Sequence, residues 1–325
     1  MKRVVEAWDQ RQVPLYLAAI LIGAAVGLLA PQVSPALEHA IEPTLVLVLF
    51  ATFLGVPLIE VGRAFADVRF LVTVLLANFI AIPALAWGLS RFVADDRGLM
   101  LGVLLVLLTP CIDYVIVFTG LAGGARARLL AAAPLLMLVQ ILLLPVYLLL
   151  FVGTDVLAVI DVAPFAEAFL LLIVVPLAAA AIVQAVARRH RVGRAIETGM
   201  AGAMVPLMMA TLAVVVGSQI AAVGSQLAAL VRVLPLYVVF VIIAVLVGIA
   251  ASRAGRLDVP GSRAAVFSVA TRNSLVVLPL ALALPPSLSI APLAVVTQTL
   301  VELVAMVVMV RVVPYLIPAR KGLST

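Results

Sequence analysis

Two short polar stretches interrupt otherwise apolar runs, one in each half of the chain. They are Thr109-Pro110-Cys111-Ile112-Asp113 and Thr271-Arg272-Asn273-Ser274. Pro110 lacks an N–H, and its ring crowds the preceding turn, so it kinks or breaks a helix. Cys111 is either a small buried hydrophobe or, as thiolate, a ligand for a soft centre. Asp113 could bind a cation, carry a proton or pair with Arg272, and a carboxylate at mid-membrane costs about 2.5–3.5 kcal/mol on insertion scales. Arg272 either binds an anion or neutralises Asp113 or Glu302. Asn273 and Ser274 add donors and acceptors beside it. Gln298 and Glu302 are four residues apart, hence on one helix face, and a buried Glu302 can titrate with a raised pKa. Asn78 and Gln140 stand singly in two further apolar runs, where a polar residue is either interhelical glue or a site component. Thr109, Cys111, Arg272, Asn273 and Ser274 are the candidate substrate contacts. Asp113, Glu302 and Gln298 are the candidates for a coupling ion or proton, and Asn78, Gln140 and Pro110 support them.

The elements that must position these groups follow from composition. The chain has 325 residues, 66% hydrophobic and 11% charged, with mean hydropathy +1.32. So few charges cannot solvate a globular domain of this length. Apolar runs of about 20 residues recur, the length that crosses a bilayer as a helix, and long alternating strands are absent. Ten spans are predicted, at 13–30, 44–62, 68–91, 98–121, 129–152, 164–187, 199–222, 232–252, 262–284 and 288–312. The first is too long for a signal-peptide core and is read as a retained helix. Of the 21 Lys and Arg residues, 17 fall in segments on one side if both termini are cytoplasmic, which is the positive-inside pattern. The net charge of +6 is thereby explained without nucleic acid. The single cysteine excludes an internal disulfide or a multi-cysteine metal site, and His39 and His190 are placed in different loops. No HExxH, Walker A or GxSxG pattern is present, so neither an enzyme nor a cofactor is expected.

The halves echo each other. Thr109-Pro110-Cys111 matches Thr271-Arg272-Asn273, and Gln140 matches Gln298. Five spans per half make the second repeat (153–325) inverted relative to the first (1–152). Helix breaks in hydrocarbon survive only where they line a protein-buried or watered site, and paired breaks in two inverted halves point to the substrate site of a secondary transporter.

At these residues the chain resembles the bile acid:sodium symporter superfamily, and within it the arsenical-resistance (arsenite) permeases. The specific stretches are Leu75–Asn78 through Pro83, Thr109-Pro110-Cys111 through Gly120, Leu138–Gln140 through Tyr147, and Thr271–Ser274. The resemblance implies an all-α polytopic fold whose broken spans 4 and 9 cross at the midplane. Spans 3–5 and 8–10 would form a core, and spans 1, 2, 6 and 7 a panel. It implies that Asn78, Cys111, Gln140, Asn273 and Glu302 lie at the translocation site, with Cys111 matching the functional cysteine of arsenite permeases. The glutamates that relatives carry around the second break are missing, since no acidic residue lies between Asp258 and Glu302. Asp113 or Glu302 is therefore expected to substitute.

The expected function is proton-coupled efflux of arsenite across a bacterial inner membrane. The alternative is Na⁺- or H⁺-coupled uptake of a small organic anion clamped by Arg272. An intramembrane enzyme using Asp113 and Glu302 is the remote third. The partners are a small-molecule, oxyanion or metalloid substrate and the bilayer, and the sequence does not specify an oligomeric state.

Overall fold

The computed structural model describes residues 12–56, 66–112, 114–153, 167 and 170–318, and among them no strand forms. The helices are α1 (Gln12–Leu29), α2 (Ser34–Gly55), α3 (Val68–Leu76), α4 (Ile82–Ser90), α5 (Arg97–Leu107), α6 (Tyr114–Leu121), α7 (Arg126–Val152), α8 (Val175–Ala187), α9 (Arg191–Ala254), α10 (Val259–Ala270), α11 (Ser274–Leu282) and α12 (Ala291–Leu316). A π-helical turn, Ala77–Ala81, joins α3 to α4, and another, Leu170–Val174, leads into α8. Among the described residues, seven helical stretches are long and apolar enough to cross a membrane. The protein is thus an all-helical, polytopic membrane protein. Asp113 lies outside the described residues.

Two stretches differ from expectation. α2 begins at Ser34 rather than near 44, because Pro35 sits in the first turn, where its missing N–H is not needed. His39 is consequently helical and not in a loop, with its Nδ1 2.7 Å from the Pro35 carbonyl oxygen. α9 keeps helical backbone across 223–231, where a loop is predicted. No proline lies between Pro206 and Pro235, and the stretch is rich in Ala and Leu, which favour helix over the short Gly224-Ser225-Gln226 interruption. A straight helix of this length would span about 96 Å, roughly three hydrocarbon thicknesses. It contains two crossing-length segments, Arg191–Ser218 and Ala228–Ala254. The first runs parallel to α1, and the second antiparallel to α3 and α4, with Gly255 against Thr73 and Arg232 against Asp95. The Arg232 guanidinium holds the Asp95 carboxyl below the usual carboxylate range.

Small residues set the closest helix approaches, as expected where lipid offers no hydrophobic drive for association. Gly23 and Gly27, four apart on α1, face Ala213 and Gly217, four apart on α9. A Cβ on Gly27 would lie 2.2 Å from the Gly217 carbonyl oxygen. Gly27→Ala is therefore expected to lower the melting temperature of the purified protein by roughly 3 °C or more. An unchanged melting curve would show that the seam is looser than this.

Several of the charges serve as helix punctuation. Asp67, Asp96 and Asp258 are the N-caps of α3, α5 and α10, each accepting from backbone N–H groups of its own first turn. Arg128 bridges Asp67 at 3.2 Å and also pairs with Asp258. Burial pushes the Asp258 carboxyl up, but the Arg128 hydrogen bond and charge, with the Gly261 N–H, outweigh it and hold it low. C-termini are capped by long side chains. Gln184 donates to the Phe53, Leu54 and Val56 carbonyls at the end of α2. Arg263 donates to Ile317 and Ala122, closing α12 and α6. Arg194 and Arg91 do the same for α8 and α7, through the Ala187 and Phe151 carbonyls. Orphan carbonyls at helix ends must find donors, and inside a membrane those donors must come from protein.

Candidate functional site: the crossing of two broken helices

α5 stops at Leu107 and α10 at Ala270. Pro110 has no N–H to continue the ladder, and it biases Thr109 away from helical backbone. The Thr109 hydroxyl turns back to the Leu105 and Val106 carbonyls at 3.2 and 3.1 Å. Thr271 does the same to Phe267 at 2.8 Å. These hydroxyls bond back to last-turn carbonyls, of which those of Val106 and Phe267 also accept the N–H of the same threonine, at 3.4 and 3.2 Å.

The two breaks then satisfy each other. Pro110 and Arg272 oppose one another in an isolated antiparallel bridge. Its two bonds run from Cys111 N–H to the Thr271 carbonyl at 3.2 Å and from Asn273 N–H to the Thr109 carbonyl at 2.8 Å. In this register the backbone nitrogens of Pro110 and Arg272 point away from each other. A proline costs nothing there, while Arg272 N–H needs an acceptor on the far side. Glu302 of α12 supplies it, with Oε2 at 2.8 Å. Gln298 Nε2 donates to the same oxygen. Beyond the crossing, α11 begins with Asn273 as N-cap, its Oδ1 accepting from Val276 N–H at 3.3 Å. Ser274 follows, its hydroxyl 2.8 Å from that of Thr299 on α12.

The Arg272 side chain is fully buried and lies over the Phe240 ring, with 5.6 Å from Cζ to the ring centroid. Nη2 is 2.7 Å from Asn78 Oδ1, 3.0 Å from the Ser268 carbonyl and 2.7 Å from the Val269 carbonyl. Nη1 is 3.3 Å from the Leu107 carbonyl. The guanidinium thus caps both half-helices that end at the crossing, where the partial negative charge of each helix C-terminus lies. Asn78 is buried in the π-helical turn between α3 and α4, and its Nδ2 donates to the Val74 carbonyl and the Ser268 hydroxyl. Pro83 has no N–H for the Phe79 carbonyl four residues back, and Tyr147 of α7 donates its hydroxyl there instead at 2.5 Å.

The structure therefore brings Thr109, Pro110, Cys111, Arg272, Asn273, Ser274, Gln298, Glu302 and Asn78 into one connected region. Gln140 is buried on α7, and neither its amide oxygen nor its nitrogen has a hydrogen-bond partner among the described residues. The same holds for Asn273 Nδ2 and Gln298 Oε1. Cys111 is completely buried. Sequence reasoning missed Ser268, Thr299 and Tyr147. Ser268 was detectable as the residue one helical turn before Arg272, and Thr299 as the neighbour of Gln298.

A cavity of about 360 Å³ opens between α2 and α11, lined by Glu38, Ile41, Glu42, Leu45, Leu172, Pro279, Leu282 and Ala283. Nearer the crossing, a void of about 10 Å³ lies between Ser274 and Thr299 on one side and Thr211, Leu212, Val215 and Val216 of α9 on the other. No curated protein matches the sequence. Residues 42–229 match the model of the sodium bile acid symporter family. That match includes the first break but ends before the second, which the fold itself places against it. Since the match covers more than half of the chain, this protein belongs to the sodium bile acid symporter family, whose members are membrane transporters.

Proposed function

We propose that the chain is a secondary active transporter that carries its solute past the crossing by rocking a core (spans 3–5 and 8–10) against a panel (spans 1, 2, 6 and 7). The observation that carries this reading is the reciprocal pair of backbone bonds, Cys111 to Thr271 and Asn273 to Thr109, which ties two broken helices together deep in the bundle. Counting α1, the α5–α6 pair, the α10–α11 pair and both segments of α9 gives ten spans. On that count the two five-span repeats are inverted, and both termini are cytoplasmic by the positive-inside pattern. The cavity beside Glu38 and Glu42 then opens to the outside, and the narrow void beside Ser274 and Thr299 is the closed part of the path.

The substrate reading is efflux of arsenite, with Cys111 contacting the metalloid. The thiol would displace one hydroxyl of arsenous acid, forming an As–S bond and releasing water. A thiol shut from both sides in this conformation must be uncovered by the rocking motion before it can ligate. Glu302 or Asp113 would carry the coupling proton. Uptake of an organic anion is less well supported, because an Arg272 clamp would have to release its carbonyl partners, and the cavity mouth carries two carboxylates.

The test is arsenite accumulation in cells lacking their own arsenite exporters, with and without this chain. Accumulation is expected to fall several-fold with the wild type and to return to control level with Cys111→Ala. Efflux unchanged in Cys111→Ala would remove the thiol from the mechanism. No efflux from a protein shown to reach the membrane would remove arsenite.

A further inference from the structure

Four oxygens from three separate helical elements converge on the Arg272 guanidinium. Nη2 carries two hydrogens, yet Asn78 Oδ1, the Val269 carbonyl and the Ser268 carbonyl all lie within 3.0 Å of it. The Leu107 carbonyl adds a fourth oxygen beside Nη1. Three of the four are main-chain carbonyls in the last turns of α5 and α10. Carbonyls from two helix ends and an amide oxygen converging on one positive group is the arrangement of a cation ringed by oxygen ligands. Carbonyls at half-helix C-termini beside a break are what secondary transporters use to hold a coupling cation, and hard cations take oxygen ligands of this kind.

We propose that the Arg272 guanidinium is a tethered cation, permanently filling an oxygen cage that would otherwise accept Na⁺, so that this chain moves its solute without binding Na⁺ there. An arginine stays protonated, and this one is buried with its backbone held in the crossing. A Na⁺ gradient therefore has nothing to act on at the cage. The carboxylate of Glu302, which accepts the Arg272 backbone N–H from the opposite side, contributes compensating charge. The consequence for coupling rests on the transporter reading. The cage itself does not, so its test needs no substrate.

The experiment compares melting temperatures of the purified full chain in NaCl, choline chloride and dilute guanidinium chloride. The wild type is expected to melt at the same temperature in Na⁺ and choline. Arg272→Ala is expected to melt lower and to be raised by Na⁺ or by guanidinium, relative to choline, by roughly 3 °C or more. Adding Asn78→Leu to Arg272→Ala should abolish that rise. Arg272→Lys keeps a positive charge in the cage and serves if Arg272→Ala does not accumulate, since it should be as indifferent to Na⁺ as the wild type. Selective stabilisation of the wild type or of Arg272→Lys by Na⁺ would overturn the proposal. So would an Arg272→Ala protein that Na⁺ and guanidinium leave unchanged. Failure to transport any solute would count against the transporter reading and leave the melting result standing.

Discussion

Glu302→Gln is expected to give a folded protein whose transport falls by roughly tenfold or more, whereas Glu302→Leu is expected not to fold. The two substitutions separate what the carboxylate does as an acceptor from what it does as a titrating group. Oε2 accepts the backbone N–H of Arg272 at 2.8 Å and a hydrogen from Gln298 Nε2. The N–H of Arg272 faces Glu302 because Pro110 opposes it across the bridge, and no main-chain carbonyl of that bridge can reach it. A glutamine oxygen can still accept it, so Glu302→Gln keeps the crossing closed. A leucine orphans a buried N–H and removes a carboxylate beside a buried guanidinium. Both variants lose the negative charge, so what separates them is the orphaned N–H, which typically costs about 1–3 kcal/mol more in the leucine variant. Glutamine cannot release or take up a proton in the working range, so transport driven by a pH gradient should fall even though the fold survives. Melting temperature and proton-driven transport of both variants in vesicles would check this. Wild-type transport by Glu302→Gln would exclude Glu302 as the coupling group, and a well-folded Glu302→Leu would show that the Arg272 N–H finds another acceptor.

The second large effect is expected at Gly102. A Cβ there would lie 2.7 Å from the Ala291 carbonyl oxygen, 2.8 Å from Ala294 Cβ and 3.0 Å from Ala291 Cα. One turn earlier, a Cβ on Gly98 would meet Ile290 Cγ2 at 2.5 Å. Most of these neighbours are backbone or Cβ atoms and cannot rotate away, so Gly102→Leu must push α5 and α12 apart. Overpacking costs about 1–3 kcal/mol even where side chains can yield, and here they cannot. The displacement also acts on the crossing, because α5 ends in the Leu107 carbonyl beside Arg272 and α12 carries Gln298, Thr299 and Glu302. Loss of folded protein from the membrane is expected, with any surviving fraction inactive. Gly88→Leu is the control, since a Cβ on Gly88 meets nothing within 4 Å. Equal yields and melting temperatures for the two variants would refute the packing argument.

Much of the site was legible because its determinants are local. Pro110 lacks a donor wherever it is placed, Thr109 and Thr271 can bond back one turn, and an apolar run of about 20 residues has few alternatives to a membrane helix. The breaks were therefore located correctly before any packing was known. The seam between α1 and α9 was also written in the chain, as Gly23 and Gly27 four apart and Ala213 and Gly217 four apart, but spacing alone did not say which pair would meet.

Arg272 marks where local reasoning ended. Its residue type predicted a search for negative charge, with an external anion, Asp113 and Glu302 as the candidates, of which Asp113 lies outside the described residues. In the folded protein the guanidinium lies among the carbonyls of Leu107, Ser268 and Val269 and the amide oxygen of Asn78, while Glu302 takes the backbone N–H of the same residue. Neither outcome can be read from neighbours in sequence, because Asn78 and Leu107 lie more than 160 residues away and become partners only through the crossing. The sequence by itself determined that this protein is helical, membrane-embedded and twice broken, because hydropathy and proline chemistry act over one or two turns. Only the tertiary structure decided which groups satisfy the broken ends, because a freed carbonyl or N–H in a medium without water takes whichever donor or acceptor the packing of distant helices delivers.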